Sequence, residues 1–292
     1  MNAVEVVAGP AGEGGGRVAR LLRQVEQEER QRQRVHERNT ALGRLAFGIA
    51  VFLTWELASG RIVDQFFVSK PSHIAASLWA MAVKENLLYH LQFTVLEALA
   101  GYALGASAGL VLGFALARLD LVYRIVEPFV VAFYGIPRIA LAPLFILWFG
   151  IGIASKIAVA AVMVFFIVFI NTIAGIRSAP VQFLQVARVM GASEWDLVRK
   201  IVFPAATPFI IAALQITVPQ AMIGAIVGEF ISSNRGVGNL ISRAQGFLDT
   251  PGLFAGIFAL LVVVLVMNHA ITSLGNRLMR WNPKHGTTQE SL

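Results

Sequence analysis

The stretch QVARVMGASEWDLVRKIVFP, residues 185–204, places Arg188, Glu194, Asp196, Arg199 and Lys200 in the middle of an otherwise oily chain. The 292 residues are 57% hydrophobic and only 14% charged, and mean hydropathy is +0.68. Soluble domains carry about 25% charged residues, so this shortage of charge makes a bilayer the solvent. The quoted stretch is then a polar interruption between membrane-spanning helices. What it builds decides what kind of membrane protein this is.

Its local chemistry predicts helix, tight turn, helix. Ser178 stands where it caps a helix starting near Ala179 and Pro180, a position that tolerates proline. That helix runs to about Met190. Gly191 follows where helices end on a left-handed residue, which glycine adopts without steric cost. Ser193 caps the next helix, and Asp196 three residues on completes a capping-box pattern. Trp195, Val198, Ile201 and Val202 share one side of this second helix, which stops at Phe203-Pro204. Small residues Ala187, Gly191 and Ala192 surround the bend and admit a close neighbour. On pattern alone two readings stand: a docking knob for another subunit, or an amphipathic loop lying on headgroups.

Working outward, six apolar segments are long enough for a core of about 30 Å: roughly 42–58, 91–117, 123–149, 157–176, 205–231 and 253–275. The third is broken by Pro137 and Pro143. Such breaks survive at membrane depth only where protein or a polar cavity satisfies the freed backbone, so this segment is a candidate pathway lining. Gly101, Gly105 and Gly109 give the second segment a small-residue face suited to helix packing, and to contact with a second copy. Six spans put both termini on one side. Seventeen of the 24 Lys and Arg residues fall on the side of the termini and residues 177–203, six on the other, and Arg138 within the membrane. The positive-inside rule makes the first side cytoplasmic.

Residues 8–16, AGPAGEGGG, belong to a Gly/Ala-rich start read as disordered over 1–16; no strand precedes it, so a dinucleotide loop is discounted. Residues 17–40 read as a charged helix with Glu26–Arg30 and Glu28–Arg32 in the favoured i,i+4 order. The expected organisation is a cytoplasmic arm at 1–40, a transmembrane domain at 41–280 and a tail at 281–292. With no cysteine among the residues, thiolate chemistry is excluded. No phosphate-binding loop, paired metal-spaced histidines or nucleophile elbow occurs. The net charge of +7 is accounted for by cytoplasmic loops without a nucleic-acid partner.

The 185–204 stretch resembles the EAA loop of ATP-binding-cassette (ABC) importer permeases. That pattern is Glu-Ala-Ala, three residues, Gly, nine residues, Ile, one residue, Leu-Pro. Here Gln185-Val186-Ala187, Gly191, Ile201 and Phe203-Pro204 keep its spacing, with Gln185, Val186 and Phe203 as departures. WELASG at 55–60, VSKPSHIAASLW at 68–79, GIPRIALAPLFILWFGIG at 135–152 and GEFISSNRGVGNLI at 228–241 resemble further stretches of the nitrate/sulfonate/taurine-type permeases, over about residues 42–280. The resemblance implies an all-α, six-span type I importer permease. It implies a second permease copy, two ATP-binding subunits and a periplasmic solute-binding protein as partners, in a bacterial inner membrane with its lipid. It implies no cofactor in this chain, ATP and Mg being held by the ATPase. Gln185, Ala187, Gly191, Ala192, Ser193, Ile201 and Pro204 would couple to that ATPase. The solute would be a small anion such as a sulfonate, taurine, nitrate or carboxylate; pyrimidine-type precursors stand beside it.

Ionisable and polar groups at membrane depth supply the pathway candidates. Arg138 directly follows the Pro137 break and is read as attracting an anion; pairing with Glu127 is the competing reading. Glu97 and Glu229 are read first as structural pairs, and Glu229 is kept as a pathway candidate with Tyr134, Asn171 and Gln220. The rival function is an ion-coupled secondary transporter, which also uses broken helices but leaves the EAA-like stretch unexplained. A membrane-embedded enzyme lacks any assembled catalytic set.

Overall fold

The computed structural model of the protein describes residues 13–278, which are helical almost throughout. Residues 1–12 and the tail at 281–292 lie outside the described residues, as do the side chains of Glu26, Glu28 and Arg30, so the expected Glu26–Arg30 and Glu28–Arg32 pairs fall there too. Among the described residues five helices are long and apolar enough to span, six when a bent pair counts as one span. The chain divides into two units at residues 65 and 66.

The first unit is one helix, α1 (Glu13–Ala58), followed by a short turn. Residues 13–16, expected to lie outside the helix, form its first turn. The charged arm and the first span (Arg38–Ala58) therefore share one continuous helix, because nothing between residues 17 and 58 is a proline and the helix bonds never have to be given up.

The second unit is built on three helices. α3 (Leu87–Ala117) and α9 (Phe203–Ile231) both pack along α6 (Ile153–Arg177). The α3 glycines decide how closely. A Cβ on Gly101 or Gly105 would run into Ala160 or the Ala161 carbonyl, and one on Gly109 would lie 2.9 Å from the Phe165 carbonyl oxygen. On α9, a Cβ on Gly224 would lie 2.6 Å from Ala160 Cα. Backbones this close gain dispersion contacts that lipid tails cannot match. The small-residue face of α3 is thus consumed inside the chain, not offered to a second copy. Ala106, Val164, Val168, Ala213 and Ala221 form one core cluster along these three helices.

Between α3 and α6 the chain makes a bent excursion. α4 (Asp120–Gly135) meets a short 3-10 turn (Arg138–Leu141) and α5 (Ala142–Phe149) at 87°. The bend falls at Gly135–Pro137; Pro143 sits in the first turn of α5, where a missing N–H is harmless. α2 (Pro71–Lys84) and α10 (Val237–Gly246) pack against α11 (Thr250–Leu278).

The polar segment after α6 differs from expectation at both ends. Ser178 does not cap forward; its hydroxyl donates back to the Gly175 carbonyl at 2.7 Å, and α7 (Val181–Val189) begins after Pro180. The second helix does not stop at Phe203-Pro204. α8 (Glu194–Leu197) widens into a π turn over Val198–Val202 and continues as α9. The wider turn absorbs the bond that Pro204 cannot donate. One helix therefore runs from Glu194 to Ile231.

Candidate functional site

Two stop signals shape the segment joining α7 to α8. Gly191 has φ +84°. The Ala192 N–H reaches the Ala187 carbonyl at 2.9 Å and the Gly191 N–H the Arg188 carbonyl at 3.0 Å. This pair of bonds is a Schellman motif, which satisfies carbonyls left over at the end of α7. Ser193 then caps α8: its hydroxyl accepts from the Asp196 N–H at 3.2 Å, and Asp196 accepts from the Ser193 N–H at 3.4 Å. Arg188–Glu194 at 3.1 Å bridges the turn from outside, and Lys200–Asp196 at 2.7 Å runs along the helix that follows it.

This rigid bend presents apolar surface. α7 buries no residue, and Val189, Met190 and Trp195 are 90%, 81% and 69% exposed. Leu197 and Val198 face inward and hold the bend to the helical body. A Cβ at Gly191 would meet nothing within 4 Å; its glycine is required by the backbone angle, and the space beside it is open. Gln185, Ala187 and Ser193 stand on this exposed bend, while Ile201 lies in the π turn and Pro204 opens α9.

The pathway candidates separate into two places. Arg138 and Tyr134 meet at the bend of the broken span. The guanidinium carbon lies 4.8 Å from the Tyr134 ring centroid, and Nη1 donates to the Met163 carbonyl of α6 at 3.3 Å. Glu127 is not its partner; it accepts from the Tyr123 hydroxyl at 2.7 Å. Pro137 supplies the extended residue before the 3-10 turn. Asn171 bonds its own helix at the Ile167 carbonyl, 2.8 Å away, and Gln220 is half-buried on α9.

Glu229 belongs to a buried cluster at the opposite end of the core from the α7–α8 bend. Its carboxylate accepts from the Thr94 hydroxyl at 2.7 Å and from the Gly238 N–H at 2.6 Å. The Val237 N–H donates to the Thr94 oxygen at 2.9 Å. His90 Nδ1 lies 3.0 Å from the Gly236 carbonyl; a carbonyl only accepts, so this nitrogen carries the proton. The start of α10 is thereby held from below, with a carboxylate at its positive dipole end. Beside it Lys156 donates to Glu97 at 3.2 Å and to the Ser233 hydroxyl at 2.6 Å. These side chains tie α3, α6, α9 and the 233–238 loop together. Thr94 and Lys156 were not singled out from sequence. The i,i+3 spacing of Thr94 and Glu97, which places both on one helix face, is the signal that was there to find.

Comparison with known proteins fixes the family. Residues 105–280 match the family described as binding-protein-dependent transport system inner membrane component. The chain belongs to that family. It is an ABC-importer permease of the nitrate/sulfonate/taurine type. The chain is 36% identical over 245 residues to the formylaminopyrimidine transport permease protein of Halalkalibacterium halodurans, covering 84% of this chain and 97% of that one. It is 36% identical over 217 residues to the riboflavin transport system permease protein of Chloroflexus aurantiacus, covering 74% and 81%. A putative aliphatic sulfonates transport permease protein of Bacillus subtilis is 31% identical over 232 residues, 79% and 84% of the two chains. In fold the permease matches an amino acid ABC transporter chain with TM-score 0.52 at 15% identity, over 70% of this chain and 97% of that one. It matches a chain of the inward-facing MetNI methionine ABC transporter with TM-score 0.51 at 23% identity, over 64% and 93%. The permease is the transmembrane pathway subunit of an importer, which removes the ion-coupled carrier as a reading.

Proposed function

We propose that the permease works as a pair of copies above two ATP-binding subunits, with a periplasmic solute-binding protein delivering a small anionic solute. The observation that carries this is the bend at Gly191: a turn closed by a Schellman motif and a capping box, with Val189, Met190 and Trp195 exposed upon it. An exposed apolar surface on a rigid turn is what a groove in a moving partner needs. The continuous helix from Glu194 to Ile231 carries displacement of that turn along about 57 Å of helix, at 1.5 Å per residue. In this reading the termini and the bend are cytoplasmic, and the ATPase holds the ATP and Mg. Ala187, Ala192 and Ser193 lie against it, and Gln185 stands where the family pattern has its acidic residue.

For the solute, Arg138 supports an anion at the break of the third span, with Tyr134, Asn171 and Gln220 along the same pathway. The formylaminopyrimidine permease at 36% identity favours a pyrimidine-type solute as the second reading. Purification of the tagged permease beside a Gly191→Glu variant tests the coupling. Even alanine at a left-handed position costs about 1–2 kcal/mol, and glutamate adds a charge to the open side of the turn. The expected result is an ATPase that accompanies the wild type and is lost from a folded variant. A wild type that binds no ATPase, or a variant that keeps it and transports, refutes the reading. Uptake competition between ethanesulfonate and a formylaminopyrimidine separates the two solutes.

A further inference from the structure

α3 and α9 both lie on α6, and the Tyr102 hydroxyl bridges them by donating to the Leu214 carbonyl at 3.0 Å. Toward the end of α3 a wedge of about 510 Å³ lies between them. Leu110, Phe114 and Ala115 of α3 form one side, Phe203 and Ile210 of α9 the other, and Thr172 of α6 the floor. The floor is shut, since a Cβ on Gly113 would lie 2.9 Å from Thr172 Cβ. The outer side is open: Val111 and Phe203, which also line the wedge, are 66% and 55% exposed.

The wall suits hydrocarbon. The Thr172 hydroxyl is spent on the Val168 carbonyl at 2.7 Å. From Leu110 to Arg118 the α3 side is about 12 Å long, against about 15 Å of hydrocarbon in one leaflet. The mouth says which lipid. Among the described residues that line the wedge, Arg118 alone is ionisable, and it closes α3 as its C-cap. Arg199 precedes Phe203 by about 6 Å along the same helix. Neither guanidinium has a carboxylate or hydrogen-bond partner among the described residues. The acids at this end are engaged elsewhere: Asp120 with Arg177 at 2.7 Å, Asp196 with Lys200 at 2.7 Å, and Glu194 with Arg188 at 3.1 Å. The negative end of α3 favours a cation but leaves most of the five donors of a guanidinium unfilled. Phosphate oxygens match those donors two at a time. Two unpaired cations at the mouth of an apolar slot call for an anion with an apolar body, as basic pockets between spanning helices do for anionic lipid headgroups.

We infer that the wedge is a binding site for an anionic phospholipid of the leaflet on the side of the Gly191 bend. The phosphate sits on Arg118, one acyl chain lies along α3, and Arg199 favours a headgroup without a cation. Because α9 continues the helix that starts at the bend, a chain seated here braces that helix against α3. The site needs only that these helices span a bilayer, so it goes beyond the importer reading, and its test requires no ATPase.

The test is photo-crosslinking of the full-length permease in nanodiscs. The probes are phosphatidylglycerol and phosphatidylcholine with a diazirine on the same acyl chain, at equal mole fraction, and labelled peptides are mapped. Phosphatidylglycerol labels residues 110–118 and 203–210 at least about tenfold more than phosphatidylcholine, the worth of one charge contact. Arg118→Gln brings its labelling down to the phosphatidylcholine level. Ala115→Trp, which fills the wedge from an exposed position, removes labelling there by both lipids. Equal labelling by the two lipids in the wild type overturns the inference, as does undiminished labelling in Arg118→Gln or an absence of label from the wedge. Displacement of the label by millimolar inorganic phosphate assigns Arg118 to a free anion and overturns it too. Ala115→Cys supplies the sole thiol of a cysteine-free chain; a disulfide between two copies in place of wedge labelling gives the slot to a second permease and refutes the lipid.

Discussion

Replacing Lys156 with methionine asks what a buried ion pair contributes to this permease. The Lys156 and Glu97 side chains are 5% and 1% exposed. The substitution keeps an unbranched side chain but deletes the 3.2 Å contact to Glu97 and the 2.6 Å contact to Ser233. Glu97 is left as an uncompensated charge, with the Glu229 carboxylate in the same cluster. Breaking a buried pair from one side costs about 3–5 kcal/mol. At about 2–4 °C per kcal/mol for a chain of this size, the apparent melting temperature falls by about 6–20 °C. The double variant Lys156→Met with Glu97→Gln removes both charges, and such replacements are often near neutral, so most of that loss returns. The assay is thermal unfolding of the detergent-solubilised permease, followed by the monodisperse fraction on size exclusion and analysed as a double-mutant cycle. If the double variant loses as much as the two single variants together, Lys156 and Glu97 are not coupled and the cluster does not hold the N-terminal parts of α3 and α6 together.

Three further outcomes follow from the geometry. Gly105→Ala drives a Cβ into the Ala161 carbonyl and lowers thermal stability by an overpacking cost of about 1–3 kcal/mol; Gly48→Ala, on open helix surface, leaves melting unchanged or slightly raised, and equal effects refute the packing account. Ser193→Ala removes the capping box of α8 at about 1 kcal/mol, so uptake per ATP hydrolysed falls in reconstituted vesicles while the yield of folded chain is kept. Arg138→Gln keeps a hydrogen bond to the Met163 carbonyl within reach but removes the charge; uptake falls at least about tenfold with ATPase association intact, and full uptake removes Arg138 from the pathway.

Much of this architecture was legible because its causes are local. Gly191 needs its left-handed angle and Ser193 its capping partner Asp196 whatever surrounds them, so the turn could be read from residue types and offsets. Spans of about 20 apolar residues are read the same way, and so is the break at Pro137. Local signals misled where a neighbour could absorb the fault. Pro204 reads as a stop, yet the π turn over Val198–Val202 carries the helix through it. Ser178 reads as a forward cap, yet the Gly175 carbonyl lies closer to hand.

The sequence by itself determined that this chain crosses a membrane, where the crossing breaks, and the bend at Gly191. These rest on composition, period and turn chemistry within a few residues. Only the tertiary structure decided that the α3 glycines are spent against α6, that Lys156 meets Glu97 and that Glu229 caps α10. The first two of these join residues 56 to 59 positions apart, and the third, though Glu229 and Gly238 are nine apart, turns on Thr94 of another helix, 135 positions away, holding the carboxylate. Charge and size announce that a buried group needs a partner, but only the packing of the helices chooses it.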